Sequence, residues 1–349
     1  MVRIGIVGTG WGARVQAPTF REAGLDVVAI AGFHREKTRK IADELGLRAH
    51  DDWRELVNAS DVDFVSVTAP PYEHREIALA ALQAGKHVLC EKPTTLSPAE
   101  AGELVAEARR RPEQIAIIDH ELRFLPAWRE ARARLADDVG RIRLAEVRYA
   151  SPGRNDPARQ WNWWSDASRG GGIWGAVGSH FVDALRYFGA EPESALALLH
   201  TIVTQRPFGD ETREVTSDDY ASVDLRFRDG GVASLELCAV SSGPDDPSTL
   251  ILHGDRGAMR FVGEEVLLSQ NRGAFVRIAG GPLEQRPGNS PGGAFGTGTL
   301  HLGRAIRAAL DEGNREALAP AATFEDGLMQ QRVLDAARRS SANGGWAAV

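Results

Sequence analysis

The chain has 349 residues, 43% of them hydrophobic and 26% charged, and its formal net charge is -7. These proportions are typical of a soluble globular protein and exclude a disordered or fibrous chain. The length predicts two domains, and because the basic residues are scattered, we expect no nucleic-acid partner.

The cysteines and the N-terminal sequence bear on the compartment. Two cysteines, Cys90 and Cys238, are too few for a disulfide framework and fit a reducing compartment. The N-terminal "VRIGIVG" is predicted as a strand rather than a signal peptide, and no apolar run approaches the ~18 residues that span a bilayer. We therefore expect a cytoplasmic protein with no membrane partner and no metal.

Short apolar runs alternate with amphipathic helical stretches from residue 3 to about residue 120. The apolar runs are "VRIGIVG", "DVVAIAG", "VDFVSVTA", "KHVLCE" and "IAIID". Such runs are typical of strands buried on both faces, so we predict a parallel sheet covered by crossover helices over "EKTRKIADELG", "HREIALAALQAG" and "PAEAGELVAEARRR". The fold class is therefore α/β, with a doubly wound N-terminal domain over residues 1–122.

A glycine-rich turn, in "GIVGTGWGA", follows the first predicted strand. Gly8, Gly10 and Ala13 have the G-x-G-x-x-G/A spacing of a dinucleotide fingerprint, and a helical stretch follows directly. Gly8 is expected to make the tight turn, Gly10 to admit the pyrophosphate, and Ala13 to pack the helix. Thr9 and Trp11 of the same turn complete this part of the predicted cofactor site. A glycine-rich turn of another α/β fold is the alternative.

The end of the second strand bears on the choice between NAD and NADP. An NAD site has an acid there, about 20 residues past the glycines, that binds the ribose 2′-hydroxyl. This chain has Gly32 instead, followed by His34, Arg35 and Lys37, which are able to approach a 2′-phosphate. The sequence therefore favours NADP over NAD. The alternative is that Arg35 and Lys37 are solvated charges of a first helical turn.

Alternation of apolar and polar residues replaces this pattern after residue 140. Hairpins are predicted in "DYASVDLRFRDGGVASLELCAV" and "TLILHGDRGAMRFVG", and further strands in "IRLAEVRYA" and "ALALLHTIVTQ". We predict a second, α+β domain over residues 123–349 with a large, mostly antiparallel open sheet. A Gly/Pro-rich loop is expected over 280–298, and closing helices at about 299–312 and 325–339, the last one able to pack back toward the first domain.

The stretch "SVDLRFRDGGVASLELCAV" is expected to present a large apolar sheet face. Such faces are rarely left exposed to water. We therefore expect a homodimer or homotetramer that forms through this sheet.

The motif "CEKP", residues 90–93, follows a later strand of the first sheet. Ligands of open α/β sheets bind at this carboxyl edge. Lys92, held between the strand end and Pro93, has restricted reach and is placed to hydrogen-bond a reacting oxygen. Without that context, Lys92 is a surface charge.

Five motifs, in this order, resemble the Gfo/Idh/MocA oxidoreductases, the family of glucose-fructose oxidoreductase and inositol dehydrogenase. They are the fingerprint, "TAPPYEH", "CEKP", "LRFLPAWREAR" and "GGGIWGAVGSHFVDALRYFG", and the resemblance continues to the final "FEDGLMQQRVLDAARRS". It implies a Rossmann domain, an α/β domain with an open sheet, nicotinamide at their junction, and sugar-like or polyol substrates. It also implies Lys92 as the active-site lysine, positioned by Glu91 and by an often cis bond to Pro93. The other residues that it implies are Thr68, Pro70 and His74 along the cofactor and Arg123 near the pocket.

The stretch "GGGIWGAVGSH" is predicted to open a helix from about Gly172 to Phe188. The preceding glycines are expected to let the backbone approach a ligand. An apolar stripe with helical spacing comprises Trp174, Val177, Phe181, Leu185 and Phe188. The opposite side is expected to carry Ala176, His180, Asp183 and Tyr187.

The family that the chain resembles often has an Asp four residues before this His, and here that position is Ala176. Our hypothesis is that Lys92 stabilises or protonates an alkoxide, that His180 assists as acid or base, and that Asp183 orients His180. The alternative is that His180 is a satisfied helix histidine and Asp183 a cap or ion-pair residue.

The stretch "GRNDPARQWNWWSDASR" brings three tryptophans together with Arg154, Arg159 and Arg169. Aromatic faces beside guanidinium groups suit a carbohydrate or an anionic ring. We expect Trp161 and Trp164 in the substrate pocket, and at least one of the three tryptophans in a core.

The sequence predicts an NAD(P)-dependent dehydrogenase or reductase acting on the CH–OH group of a sugar, polyol or related compound. Two other functions stay open. One is a cofactor-binding sensor or scaffold, which the presence of both Lys92 and His180 disfavours. The other is a lyase or hydrolase that uses bound cofactor for a transient oxidation.

Overall fold

The computed structural model describes residues 1–243, 246–280 and 293–349. Its α-helices are α1 Ala17–Glu22, α2 Arg35–Leu45, α3 Trp53–Asn58, α4 Pro71–Gln83, α5 Pro98–Arg109, α6 Pro126–Asp138, α7 Ser179–Tyr187, α8 Gly293–Asp311 and α9 Phe324–Asn343. Its strands are β1 Arg3–Val7, β2 Asp26–Ala31, β3 Arg48–His50, β4 Phe64–Val67, β5 His87–Cys90, β6 Ala116–Ile118, β7 Ile142–Ala150, β8 Pro192–His200, β9 Gln205–Phe208, β10 Glu211–Glu214, β11 Tyr220–Phe227, β12 Val232–Cys238, β13 Asp246–Gly254, β14 Gly257–Val262, β15 Glu265–Gln270, β16 Val276–Ala279, β17 Ala322–Thr323 and β18 Ala347–Ala348.

The first sheet has seven strands in the order β17-β6-β5-β4-β1-β2-β3, and every pair in it is parallel except β17 with β6. In the central pairs, Ile4 lies opposite Val27 on one side and Phe64 on the other. Helices alternate with the parallel strands along the chain. This arrangement confirms the predicted doubly wound α/β domain.

Two apolar cores cover the two faces of the first sheet. One contains Ile6, Phe20 and Ile306, and the other contains Val65 and Leu82. Because successive side chains of a strand point to opposite faces, strands buried on both faces need apolar residues at nearly every position. That requirement is why the apolar runs of the sequence located these strands.

The chain divides into two compact units, and their bounds differ from the predicted domains. The first unit holds residues 1–125 and the described residues from 293 to 328. The second unit holds the described residues from 126 to 280 and residues 329–349. The predicted second domain ran without a break from residue 123 to the end and missed this return to the first unit.

Helix α8 joins the first unit because it packs on α1. A Cβ at Gly303 would lie 2.9 Å from the Cβ of Ala23, so glycine permits close contact between the two helices. Leu302 and Ile306 of α8 are part of a core of the first unit. The helix that returns is therefore α8 as a whole, whereas α9, the last helix, contributes only residues up to 328.

The second unit contains a nine-stranded sheet in the order β16-β15-β14-β13-β7-β12-β11-β8-β18. Its pairs are antiparallel except β7 with β12. The predicted hairpins are β11–β12, with Ala221 opposite Leu237, and β13–β14, with Leu250 opposite Phe261. The prediction of a large, mostly antiparallel sheet is confirmed.

The apolar side chains of β11 and β12 are buried inside the second unit. Val223, Leu225 and Leu235 are at most 1% exposed, while Asp224 and Glu236 alternate with them on the exposed face. The expected apolar outer face is therefore wrong, because the alternation had to place its apolar side inward. Self-association through this sheet stays a prediction, and its exposed face mixes polar side chains with Val232 of β12 and Leu198 of β8.

The expected loop over 280–298 lies mostly outside the described residues, which omit 281–292. Residues 293–298 already belong to α8, so the first closing helix begins earlier than predicted. The second closing helix, α9, extends to Asn343. Among the described residues, no helix combines the length and the apolar composition that crossing a bilayer requires.

Candidate active site

The turn between β1 and α1 has the geometry that the fingerprint predicts. Gly8 has a φ of 137°, and a Cβ there would lie 2.4 Å from the carbonyl oxygen of Thr68, so the turn requires glycine. A Cβ at Gly10 would have no neighbour within 4 Å. Open space therefore adjoins the backbone at the start of a helical segment, where backbone N–H groups favour an anion. This cradle fits the pyrophosphate of a dinucleotide.

Gly12 is a further essential residue of this turn that the fingerprint spacing did not single out. A Cβ there would lie 2.3 Å from Thr68 Oγ1 and 2.5 Å from Ile6 Cγ2. Because Gly12 has no Cβ, the π-helical turn Gly12–Gln16, which precedes α1, lies directly on the sheet. Ala13 is buried in the core, as its predicted role in helix packing requires.

Trp11 and Thr9 are half-buried in the same turn. The Trp11 ring packs edge-on against Phe295 of α8, with ring centroids 6.4 Å apart. Trp11 Nε1 is buried and has no hydrogen-bond partner among the described residues, a condition that costs about 1–3 kcal/mol. The cofactor contacts predicted for both residues stay predictions.

The end of β2 has no room for the carboxylate of an NAD site. A Cβ at Gly32 would lie 2.6 Å from Thr38 Oγ1 and equally close to Thr9 Cγ2. Arg35 pairs with Asp51 at 3.0 Å between Nε and Oδ2. His34 is exposed just before α2. Asp51 therefore competes with a 2′-phosphate for the guanidinium of Arg35.

Three neighbouring strand ends bring the predicted residues to one edge of the first sheet. The fingerprint follows β1, Thr68 and Pro70 follow β4, and Glu91 and Lys92 follow β5. Thr68 Oγ1 donates a hydrogen bond of 3.1 Å to the last carbonyl of β1. The Lys92 N–H donates to Glu91 Oε2 at 3.2 Å, and the bond from Lys92 to Pro93 is cis, as the resemblance implied.

Three carboxyl groups interact with the positive charge of Lys92. Burial raises the pKa of Glu91 and of Glu121 well above the ordinary range, and the charge of Asp119 raises both further. Burial also raises the pKa of Asp119, although hydrogen bonds from Gln16 and Glu91 oppose this rise. The charge of Lys92 lowers all three pKa values. Glu91 is therefore the neutral donor to the Asp119 carboxylate, and Lys92 is the cation that balances the cluster.

Side chains below the sheet edge hold Asp119 in place. Gln16 Nε2 donates to Asp119 Oδ2 at 2.7 Å, and Ser66 Oγ donates to Gln16 Oε1 at 2.5 Å. Sequence reasoning missed Gln16, Ser66, Asp119 and Glu121. The end of the run "IAIID" was a usable signal for Asp119, since it places an acid at a strand's carboxyl end. Gln16 and Ser66 gave no signal, because polar residues within a helical stretch or a strand are ordinary.

His74 lies beneath the two loops at this edge and is 1% exposed. Its Nδ1 is 3.0 Å from the Pro93 carbonyl oxygen and its Nε2 is 2.7 Å from that of Ala69. Burial lowers the pKa of His74 from 6.5 to about 4, so the ring is neutral. The neutral ring has one N–H and donates to one of the two carbonyl oxygens, so it helps to position these loops. The expected place of His74 along the cofactor stays a prediction.

Arg123 is buried within the first unit and 6% exposed. Its Nη1 lies 3.5 Å from Asp326 Oδ2 and 3.5 Å from the Pro320 carbonyl oxygen. The guanidinium of Arg123 thus lies against the first turn of α9 and the segment before it. The expected place of Arg123 near the pocket stays a prediction.

The predicted helix from 172 to 188 has a different start. It begins with the π-helical turn Trp174–Gly178 and continues as α7. Val177 and Phe181, predicted in the buried stripe, are half-buried, and Asp183, predicted opposite, is 3% exposed. The prediction of two faces failed in part because a π turn has i→i+5 bonds and breaks the 3.6-residue period. His180 is half-buried on the first turn of α7.

The glycines before this helix contact the protein itself. A Cβ at Gly171 would lie 2.4 Å from the Trp164 carbonyl oxygen, and one at Gly172, which has a φ of 112°, would lie 2.3 Å from Asp218 Oδ1. Asp218 also accepts a hydrogen bond of 2.7 Å from the Trp174 N–H. The expectation that these glycines make room for a ligand is therefore replaced by close backbone packing.

The predicted pocket tryptophans lie at the surface of the second unit, after β7. Trp161 Nε1 donates to the Glu214 carbonyl at 2.9 Å, and its ring packs edge-on against Phe208. The Trp164 ring has the guanidinium carbon of Arg154 4.3 Å from its centroid. Both rings are half-buried, and their contact with substrate stays a prediction.

Two family models match the chain. One is described as an oxidoreductase family with an NAD-binding Rossmann fold and matches residues 2–119; the other is the GFO/IDH/MocA C-terminal domain and matches residues 128–260. An uncharacterized oxidoreductase of Synechocystis is 31% identical over 291 residues, which are 81% of this chain and 77% of that protein. Glucose-fructose oxidoreductase domain-containing protein 2 of Homo sapiens is 30% identical over 368 residues, which are 99% of this chain and 93% of that protein.

Solved structures share the fold over the whole chain. Levoglucosan dehydrogenase in complex with NADH and levoglucosan has a TM-score of 0.87 at 23% identity and covers 100% of this chain and 99% of its own. An inositol dehydrogenase homolog from Azotobacter vinelandii, complexed with NADH and myo-inositol, has a TM-score of 0.81 at 20% identity, covering 100% and 97%. With both family models matching in order, the chain belongs to the Gfo/Idh/MocA family of NAD-binding oxidoreductases.

Proposed function

We propose that this protein transfers a hydride between a nicotinamide cofactor and a sugar, polyol or related hydroxy or carbonyl compound. The observation that carries the proposal is the place of Lys92, which follows β5 at the same sheet edge as the fingerprint. Its positive charge lowers the pKa of Glu91, Asp119 and Glu121. The levoglucosan dehydrogenase and the inositol dehydrogenase homolog support the substrate class, since each was solved with NADH and a carbohydrate or polyol.

Bound nicotinamide would supply the hydride donor or acceptor. The turn from Gly8 to Ala13 would hold its pyrophosphate, and Thr68 and Pro70 would line its path. Lys92 would stabilise the alkoxide oxygen that develops on the substrate, or exchange a proton with it. Glu91 and Asp119 would act through Lys92 by fixing its backbone and the charge beside it.

His180 and Asp183 are proposed as further site residues from their motif. His180 would assist proton transfer as acid or base, and Asp183 would orient it. Ala176 stands where relatives often have an acid, so no carboxylate at that position adjusts the basicity of His180. Trp161 and Trp164 would contribute aromatic faces for a sugar ring.

We propose that the cofactor is NADP or NAD. The absence of a carboxylate at Gly32 supports NADP, because it removes repulsion of a 2′-phosphate. The ion pair of Arg35 with Asp51 supports NAD, because it engages the guanidinium that a 2′-phosphate would need. NADH in the two similar solved structures supports NAD as well.

Turnover with a panel of sugars and polyols tests the proposal through the absorbance of reduced nicotinamide. We expect a net change in the wild type, and a loss of about 10²–10⁴-fold in Lys92→Ala and His180→Ala, the usual effect of removing a general acid or base. Lys40→Ala, which removes an exposed lysine of α2, is the matched control and should keep full activity.

Retention of wild-type turnover in both Lys92→Ala and His180→Ala would overturn the assignment. Product formation without net change in reduced cofactor would show transient oxidation instead. Cofactor binding with no product from any compound would indicate a sensor or scaffold.

A further inference from the structure

Three arginines converge in the second unit, on the loop after β7 and on β9. We call Arg154, Arg159 and Arg206 the arginine cluster. Arg206 is 2% exposed, and the other two are half-buried. Burial lowers the pKa of Arg154 and of Arg206, and the charge of Arg159 lowers both further. Their positive charges therefore lie close together in a partly desolvated place.

The three guanidinium groups differ in how they are satisfied. Arg206 donates from Nη2 to the Arg154 carbonyl at 2.5 Å and from Nη1 to the Asp156 carbonyl at 3.2 Å. Arg159 donates from Nη1 to the Gly153 carbonyl at 2.7 Å, but its buried Nε has no partner among the described residues. These bonds fix the loop and leave part of its hydrogen-bonding capacity unused.

Arg154 is the least satisfied member. Its guanidinium carbon lies 4.3 Å from the centroid of the Trp164 ring, which holds the guanidinium by a cation–π contact. Among the side chains of residues 1–243, 248–280 and 293–349 and the described backbone, no acceptor lies within hydrogen-bond distance of a side-chain nitrogen of Arg154. Up to five N–H donors of one guanidinium thus stay available on a group that its neighbour orients.

Opposite charge near the cluster is limited among the side chains that the structure describes, which do not include those of 244–247. No carboxylate oxygen of the described side chains lies within 4.0 Å of the three guanidinium groups. Asp219 acts on Arg154 and Arg206, and Asp156 acts on Arg206, from a longer distance. The two oxygens of Asp219 already accept the N–H groups of Ile202 and Val203, at 2.7 and 2.9 Å. Burial, with the charges of Arg159 and Arg206, lowers the pKa of Arg154 to about 10.

We propose that the arginine cluster is a binding site for an oxyanion, the carboxylate or phosphate group of a small ligand, held mainly by Arg154 and Arg159. A planar guanidinium fork matches the oxygens of either group and binds them by two parallel hydrogen bonds. Such a group would satisfy the unused donors and offset the unbalanced charge. The site lies wholly in the second unit and does not depend on the proposed hydride transfer.

Thermal unfolding of the full chain at constant ionic strength tests this site, with inorganic phosphate, D-glucuronate and neutral D-glucose as probes against sodium chloride. We expect phosphate, glucuronate or both to raise the melting temperature in a saturable way that depends on Arg154. Any effect of glucose, a candidate for the proposed reaction site, should be the same in Arg154→Gln. The probe that acts identifies the source: a phosphate group, a sugar acid, or any oxyanion.

Substitutions then locate the binding. Arg154→Gln and Arg159→Gln should each lower the affinity for the anion that raises the melting temperature by about tenfold or more, as expected for lost charged hydrogen bonds. Arg148→Gln, which removes an exposed charge from the open side of β7, should bind it like the wild type. Without ligand, Arg154→Gln should melt no lower than the wild type, because the repulsion that it removes offsets the lost contact with the Trp164 ring.

The proposal is overturned if neither anion raises the melting temperature above the chloride control. It is equally overturned if Arg154→Gln retains the wild-type response, or if this variant melts lower without ligand and so shows a structural role. Each measurement reports binding or stability, so its failure leaves the proposed reaction untouched.

Discussion

Asp51 holds the guanidinium of Arg35 and thereby limits what Arg35 offers a cofactor. We predict that Asp51→Asn increases the affinity for NADPH relative to NADH by several fold, because it frees a guanidinium for a 2′-phosphate. Fluorescence titration of the wild type and the variant with both cofactors measures the ratio. Arg39 also pairs with Asp51, so Arg39→Gln is the control, and it should leave the ratio near its wild-type value. An unchanged ratio in Asp51→Asn would show that Arg35 does not reach the ribose.

His74 predicts a dependence of stability on acid pH. Its pKa falls from 6.5 to about 4 on folding because the ring is buried. The unfolded chain therefore binds this proton more strongly, so the contribution of His74 is fully present above pH 6.5 and is lost as pH falls toward 4. The free energy of unfolding should fall by on the order of 3 kcal/mol across this window from His74 alone.

Denaturant unfolding of wild type and His74→Gln across that window measures the effect of this one side chain. The variant should show a shallower decline toward acid pH, since glutamine takes up no proton there. Equal slopes in the two proteins would contradict the assignment of the buried neutral ring.

At the scale of single residues, sequence reasoning succeeded where spacing carries the function. Gly8 and Gly10 could be predicted because a nucleotide-binding turn requires glycine at fixed positions. The contacts of Arg123 and His74 were not predicted, since a residue's motif does not show which side chains or carbonyls its polar atoms bind. Both are buried and held by groups distant in sequence, namely Asp326 and the Pro93 carbonyl.

In the segment from β1 to α1, Gly10 is expected to affect cofactor affinity and Gly12 is expected to affect stability. A Cβ at Gly10 would meet open space, whereas one at Gly12 would meet Thr68 and Ile6. We predict that Gly10→Val lowers dinucleotide affinity about tenfold or more, which is ~1.4 kcal/mol, and leaves the melting temperature unchanged. Gly12→Ala should cost about 1–3 kcal/mol of stability, as overpacking does.

Titration with NADH and thermal unfolding of both variants give the two readouts. A Gly10→Val protein that binds like the wild type would exclude the pyrophosphate from this turn. A Gly12→Ala protein of unchanged stability would contradict the packing of the π-helical turn on the sheet.

The helix that carries His180 shows what a periodic pattern leaves out. The spacing of apolar residues predicted a stripe on an uninterrupted α-helix, but the turn Trp174–Gly178 is π-helical. A Cβ at Gly178 would lie 2.3 Å from Trp174 Cε3, so the large ring and the small residue pack together. Trp174 Nε1 also donates to the Leu334 carbonyl at 3.2 Å, a tertiary contact that a sequence pattern does not report.

At the scale of the whole molecule, both sheets followed from the sequence because their periods differ. Continuous apolar runs predicted the parallel sheet, and alternation predicted the antiparallel one. The return of α8 to the first unit was missed, since it depends on contacts such as Gly303 with Ala23. The alternation of β11 and β12 also did not show that the second unit buries their apolar face. That face is therefore not available for self-association.

The central claim is that the protein moves a hydride between a substrate carbon and nicotinamide. The most direct measurement is mass spectrometry of the reduced cofactor after turnover of a carbon-deuterated sugar or polyol that the panel identifies as a substrate. We expect deuterium in the reduced cofactor from the wild type, and about 10²–10⁴-fold slower labelling with Lys92→Ala. Product formed by the wild type without deuterium in the cofactor would contradict it.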